Sequence, residues 1–320
     1  MNLSFNELLT QSILVLVGMI LMGTLSRKLG IFKDEHSTFF ARIVTDITLP
    51  ALIFLALSHH KIQIPQLFPA FVLISVEILS GLLAWVGSKI FRLTKPQTGA
   101  LVLASMFGSS AFLGYAVIKD LYPDNYDVLA EAAIISEIGV GLLIFTLGVG
   151  IAVYFGKNNI SRKEMFKPIF AFFKSHIFFA LIAGVLVSFI GLPENSILIN
   201  SFIKAIKIVA TANTLMVTMT IGLMLHFKNF RKVIVVVTVA CIIKLILQPY
   251  FALAISDFIH ISENYKKILI IEASMPSAAL AAVFARRYEC DGELASILVF
   301  ATFISSIFTI ITVSYFIFSM

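Results

Sequence analysis

Glu272-Ala273-Ser274-Met275-Pro276-Ser277-Ala278-Ala279 lies inside an apolar run, Tyr265–Arg287, that is long enough to cross a bilayer. Proline has no N–H and its ring clashes with the preceding turn, so the carbonyl of Glu272 loses its helical partner at Pro276. In lipid a freed carbonyl must be satisfied by protein, water or ligand. A second run, Thr98–Leu121, carries Phe107-Gly108-Ser109-Ser110-Ala111-Phe112-Leu113-Gly114, rich in glycine and hydroxyl groups. Small residues at both breaks let another backbone approach closely.

The solvent around these breaks follows from composition. Of 320 residues, 59% are apolar and 13% charged, against roughly 45–50% and about 25% in soluble domains. So few charges cannot cover a globule of this size in water, and lipid must wet most of the surface. That excludes a soluble enzyme, a nucleic-acid binder and a disordered chain. The net charge of +6 fits basic cytoplasmic loops. Two cysteines, Cys241 in an apolar run and Cys290 in a polar loop, imply neither a disulfide framework nor a metal cluster.

A spanning helix needs about 20 apolar residues. Ten such runs are expected: Leu8–Ser26, Thr38–Ser58, Leu67–Phe91, Thr98–Leu121, Val128–Phe155, Phe170–Leu192, Ile197–Phe227, Val233–Ser256, Tyr265–Arg287 and Ala295–Phe318. The first stays as a span, because Met1–Glu7 lacks basic residues and no small-residue cleavage motif comes after it. With the amino terminus outside, the inner loops collect most basic residues, among them Arg27, Lys28, Lys33, Arg92, Lys95, Arg162, Lys163, Lys167, Lys228, Arg286 and Arg287. The outer side holds Lys61, Lys119, Lys204, Lys207, Lys266 and Lys267. The positive-inside rule therefore places both termini outside.

The polar inner loop Gly156–Lys167 divides the chain into 1–160 and 161–320, five spans each. Five is odd, so the second half enters the membrane from the opposite side. The expected fold is an all-α membrane protein of ten helices in two inverted five-helix repeats, with the fourth and ninth helices broken at matching positions. Secondary transporters bind substrate at such matched interruptions.

A charge at mid-bilayer costs about 2.5–3.5 kcal/mol even on lenient scales, so each needs a partner or a task. Asp46, Glu77, Glu137, Lys244 and Glu272 fall within runs. Lys244 can serve an anionic substrate or a buried salt bridge with Glu77 or Glu137. Glu272, one turn before a break and with Ser109, Ser110 and Ser274 in neighbouring stretches, offers the oxygens a hard cation takes. It can equally carry a proton or be structural. Asp46 stands four residues before Pro50 with Thr48 between, a similar chemical pattern. Asn213 and Thr214 add hydrogen-bonding groups in the seventh run, and an anion is expected at half-helix N-termini, where unpaired N–H groups point inward.

Ala41-Arg42-Ile43-Val44-Thr45-Asp46-Ile47-Thr48-Leu49-Pro50-Ala51-Leu52-Ile53-Phe54 resembles the second span of the auxin efflux carrier family of permeases. Ser105–Val117 resembles that family's fourth-span motif. Lys244-Leu245-Ile246-Leu247-Gln248-Pro249 resembles its eighth span, and Met275-Pro276-Ser277-Ala278 with Ala285-Arg286-Arg287-Tyr288 resembles its ninth. The resemblance implies a fold related to the bile-acid sodium symporters, in which an acid near this crossing serves sodium. It also implies a scaffold bundle, a transport bundle, an elevator-like motion carrying organic anions, and a homodimer. The short central loop resembles the compact prokaryotic branch, implying a multi-pass protein of the plasma (inner) membrane. Ser109 and Ala116 stand where the family usually has asparagine and proline, and Leu280 replaces the asparagine after Pro276.

The expected function is a secondary active transporter of small organic anions such as carboxylates. Substrate contacts are expected from Gly108, Ser109, Ser110, Gly114, Pro276, Ser277, Asn213, Thr214 and Lys244. Glu272, Ser274, Glu137 and Asp46 are the candidates for a coupling ion, sodium or proton, and no other cofactor or metal is expected. The alternative is a transporter-like receptor that binds a ligand without moving it. An intramembrane enzyme is disfavoured: His36, His59, His60, His176, His226 and His260 scatter near span ends without a zinc-binding HExxH arrangement. A channel would need a pore-lining ring that the sequence does not present.

Overall fold

A computed structural model of the protein is all-helical, and it describes residues 5–33, 35–60, 64–123, 125–156, 170–191, 196–224 and 233–318. Among these there is no strand, only one isolated antiparallel bridge. Helices α1 (Phe5–Lys28), α2 (His36–Ser58), α3 (Leu67–Ile90), α6 (Tyr126–Phe155), α8 (Ile197–Met224), α9 (Ile234–Phe258) and the first part of α12 (Gly292–Phe318) are long and apolar enough to cross a membrane. Shorter helices are α4 (Lys95–Met106), α5 (Tyr115–Leu121), α7 (His176–Ile190), α10 (Glu263–Ala273) and α11 (Ala279–Arg287).

Two boundaries differ from the sequence expectation because of caps. α4 begins before Thr98: the Gln97 side chain accepts from the Thr94 N–H at 3.1 Å, and Pro96 sits where a missing N–H costs nothing. α7 begins at His176 because Ser175 Oγ accepts from the Phe178 N–H at 3.1 Å. The basic loop after Gly156, together with Lys61, Lys228, Arg231 and Lys232, lies outside the described residues.

The chain forms two compact units. The first comprises Met1–Pro65, Ala111–Ala133 and Phe172–Leu225. Within it α1 meets the second half of α8 through glycines: a Cβ on Gly23 would stand 3.2 Å from the Gly222 Cα. Thr24 Oγ1 donates to the Gly222 carbonyl at 2.9 Å, and Arg27 donates to the Leu223 carbonyl at 2.7 Å. α2 packs on α7, where Gly184 leaves room for Leu57 and Phe54. α2 widens into a π-turn over Val44–Thr48, just before Pro50 removes a ladder donor.

The second unit comprises Gln66–Ser110, Ile134–Ala171 and His226–Met320. Its core is close-packed around small residues. Gly139 admits Leu73, Gly148 admits Phe107, and Gly99 admits Phe155 and the buried Cys290. α9 carries a π-turn over Ile243–Leu247, again ending two positions before a proline, Pro249.

Candidate functional site

Within the second unit α4 stops at Met106 and Phe107 turns extended, with φ −95° and ψ 130°. α10 stops at Ala273, and the chain is extended again at Ala278 before α11 starts. The two non-helical stretches pair antiparallel, Gly108 opposite Ser277. Ser109 N–H donates to the Pro276 carbonyl at 2.8 Å, and Ala278 N–H donates to the Phe107 carbonyl at 2.9 Å. Backbone groups left outside the helices where α4 and α10 stop thus satisfy one another.

Side chains take up the remaining carbonyls. Gln248 Nε2 donates to the Met106 carbonyl at 3.2 Å, which has no helical partner after α4 ends. The Glu272 carbonyl accepts from the Met275 N–H at 3.3 Å, and Ser274 Oγ donates to the Ile270 carbonyl at 2.7 Å. Ser277 Oγ donates to the Ala104 carbonyl, while Thr302 Oγ1 accepts from the Ser277 N–H at 3.2 Å. Thr302 lies 2.9 Å from Ser277 Oγ, so α12 buttresses the pairing.

The ionisable groups converge here too. Lys244, fully buried, donates to Gln248 Oε1. Its ammonium lies beside Gly108, where a Cβ would come within 3.0 Å of Nζ, so the glycine is what admits the lysine. The carboxylates whose charge it feels are Glu77 and then Glu272. Glu77 Oε1 accepts from the Gly108 N–H at 3.4 Å. Glu272 is 1% exposed, and neither of its carboxylate oxygens has a hydrogen-bond partner. The Ser110 hydroxyl is near enough to interact with it but outside hydrogen-bond geometry. Glu137, in the π-turn Glu137–Gly141 of α6, adds a second negative charge to the surroundings of Glu272. Glu77 Oε2, Ser105 Oγ and Ser110 Oγ are likewise buried without a partner. Buried polar groups are nearly always bonded, so these atoms are free to take a bond from a ligand, an ion or water.

Of the residues singled out from sequence, Gly108, Ser109, Ser110, Ser274, Pro276, Ser277, Lys244, Glu272 and Glu137 belong to this one unit. Gly114 ends the π-turn Ser110–Gly114 and falls in the first unit. Asn213, Thr214 and Asp46 are in the first unit as well. Asn213 Oδ1 accepts from Thr48 Oγ1 at 2.9 Å, and the Thr214 carbonyl accepts from Thr218 Oγ1 at 2.8 Å. Asp46 is exposed, with Thr45 Oγ1 at 3.1 Å and His176 Nδ1 at 3.5 Å. Lys244 makes its hydrogen bond to glutamine, and its interaction with Glu77 is through charge rather than a hydrogen bond. Sequence reasoning missed Gln248 and Thr302. The signal for Gln248 was present, one helical turn after Lys244 and immediately before Pro249; Thr302 carries none.

The profile of a family described as "Membrane transport protein" matches residues 8–314. Over 300 residues the chain is 32% identical to an uncharacterized transporter of Methanocaldococcus jannaschii, covering 91% of this chain and 92% of the relative. It is 27% identical to an uncharacterized transporter of Methanothermobacter thermautotrophicus, with 93% and 95% covered. The uncharacterized transporter YfdV of Escherichia coli is 22% identical, with 86% and 87% covered. With its polar helix breaks, its apolar helices and a family match along nearly its whole length, the chain belongs to the membrane transport protein family, that of the auxin efflux carriers.

Proposed function

We propose that the protein is a secondary active transporter that moves small organic anions, carboxylates foremost, across a prokaryotic inner membrane by an elevator-like alternation coupled to sodium or protons. The observation that carries this reading is the Gly108–Ser277 backbone pairing, with the buried Lys244 ammonium beside it and orphaned buried oxygens around it. Lys244 is the only buried ammonium or guanidinium among the described residues, and it supplies positive charge for an anion. The N-terminal amides of α11 face the same break and add to that potential.

Two features support ten crossings in inverted repeats. Seven long helices, the shorter apolar α7, and the two interrupted pairs α4 with α5 and α10 with α11 make ten. Each compact unit also draws corresponding stretches from both halves, Met1–Pro65 with Phe172–Leu225, and Gln66–Ser110 with part of His226–Met320. The substrate set proposed is Gly108, Ser109, Ser110, Pro276, Ser277 and Lys244, with Glu272, Ser274 and Glu137 for the ion. Asn213, Thr214 and Asp46 are not included.

The test is thermal unfolding of the detergent-purified protein against mono- and dicarboxylates, paired with flux in proteoliposomes. A ligand of the native state at a hundredfold excess over its Kd adds about 2.7 kcal/mol of apparent stability. A stabilising carboxylate that also crosses the membrane is expected. Stabilisation without flux makes the protein a receptor, and no stabilisation with no flux overturns the anion reading.

A further inference from the structure

We propose that one end of the second unit is a rim that binds the headgroups of anionic phospholipids, built from Lys89, Arg92, Lys95, Arg286 and Arg287. The inference does not depend on what the protein carries.

The five cations come from helix ends that packing brings to one edge of the unit. Lys89 lies in the last turn of α3, Arg92 in the turn after it, and Lys95 opens α4. Arg286 and Arg287 close α11. The Asp291 N–H donates to the Pro96 carbonyl at 3.1 Å, which ties the segment after α11 to the start of α4. A Cβ on Gly292 would stand 2.6 Å from Arg286 Cγ, so the start of α12 lies against the end of α11. A Cβ on Gly99 would stand 2.7 Å from the Phe155 Cβ, so the end of α6 lies against α4.

All five residues are exposed, and none has a carboxylate partner among the described residues. The acids of this edge are Glu289, Asp291 and Glu293, fewer than the cations. Asp291 Oδ1 accepts from the Leu294 N–H at 2.9 Å and so caps α12. Three cations lie against aromatic rings: Lys89 Nζ is 5.8 Å from the Trp85 centroid, Lys95 Nζ 5.1 Å from Tyr154, and the Arg287 guanidinium 5.7 Å from Tyr288. Trp85, the one tryptophan of the chain, and Tyr154 are exposed. Exposed tryptophan and tyrosine rings beside cations suit the boundary between hydrocarbon and headgroups. Long basic side chains lay their stems on apolar surface and lift the charge to the phosphates. On α3 the exposed Leu82, Val86 and Ile90 give acyl chains such a surface.

Helix lengths agree with this placement. The twelve residues of α4 rise about 18 Å from Lys95 to the break, and the nine of α11 about 14 Å from the break to Arg287. Half the hydrocarbon thickness is about 15 Å. A rim at the headgroups therefore sets the Gly108–Ser277 pairing near the middle of the bilayer. Arg92 also keeps a left-handed conformation, φ 52°, which costs a residue with a Cβ about 1–2 kcal/mol. Glycine would suit that turn better, and arginine adds the cation.

The test uses the purified full-length protein in detergent with added phosphatidylglycerol or phosphatidylcholine of matched chains. Native mass spectrometry reads bound lipid, and unfolding reads the thermal midpoint. Phosphatidylglycerol is expected to bind and to raise the midpoint, and phosphatidylcholine to do neither. Lys89→Gln with Arg92→Gln, and separately Lys95→Gln with Arg287→Gln, should each weaken phosphatidylglycerol binding about thirtyfold, because each cation near anionic lipid contributes about fivefold. If one pair does not fold, the other decides. Lys204→Gln with Lys207→Gln, an equal loss of charge on α8 in the first unit, should leave binding unchanged. Equal binding of the two lipids, or an equal loss in that control, overturns the proposal. Inorganic phosphate that stabilises the wild type as well as the lipid does, and fails in the same variants, also overturns it, because the rim then takes a soluble anion.

Discussion

Gly108 shows how much one residue decides here. Its missing side chain admits the Lys244 ammonium and leaves Ser110 Oγ 3.4 Å from where a Cβ would stand. Gly108→Ala would push Nζ away from a Cβ at 3.0 Å, and the lysine is anchored at Gln248. Overpacking of this kind costs about 1–3 kcal/mol. We expect Gly108→Ala to lower the thermal midpoint in detergent and to weaken carboxylate stabilisation. Gly150→Ala, where a Cβ meets nothing within 4 Å, should do neither. An equal response in both variants would remove the special role of the glycine. Gly108 could be singled out from sequence as small and near a break, but not as the neighbour of a lysine 136 positions away.

At the scale of elements, proline, glycine and small residues decide where helices stop, widen or touch. Pro50 and Pro249 each stand two positions after the end of a π-turn, so the register slips by one residue before the missing donor. The α1–α8 contact is closer than any side chain allows. A Cβ on Gly222 would stand 2.9 Å from both the Gly23 Cα and the Thr24 nitrogen, against backbone that cannot yield. Gly222→Val should therefore separate the helices, break the Thr24 hydrogen bond to the Gly222 carbonyl and destabilise the first unit by about 1–3 kcal/mol. Gly18→Val, facing open space, is the control in the same unfolding assay. Long apolar helices were legible from their runs, as Leu67–Phe91 against α3 illustrates, because lipid imposes length and apolarity directly. The start of α7 was legible less well. The aromatic stretch Phe170–Phe173 belongs to the same apolar run as α7, and only the Ser175 cap marks the boundary.

For the whole molecule, the basic residues predict orientation. Alkaline phosphatase fused after Met320 should be active and fused after Lys232 inactive, with green fluorescent protein giving the reverse pattern. Opposite activities would invert the topology. The two compact units cut across the sequence halves rather than coinciding with them. A repeat pattern gives the order of spans along the chain, whereas a compact unit is set by which helix faces pack together, and that pairing joins segments far apart in sequence.

The sequence by itself determined that lipid is the solvent, that long apolar helices cross it, where Pro276 breaks the backbone ladder and which ionisable groups must be explained. These are local properties, set by composition, run length and the missing N–H of proline. Only the tertiary structure decided what satisfies each break. Gly108 meets Glu77 across 31 positions, Gln248 reaches Met106 across 142, and Ser277 reaches Ala104 across 173. A hydrogen bond between residues so distant depends on how separate helices pack, and no periodicity along the chain encodes that packing. The same packing leaves both Glu272 oxygens without a hydrogen-bond donor, which the run of residues around this acid does not reveal.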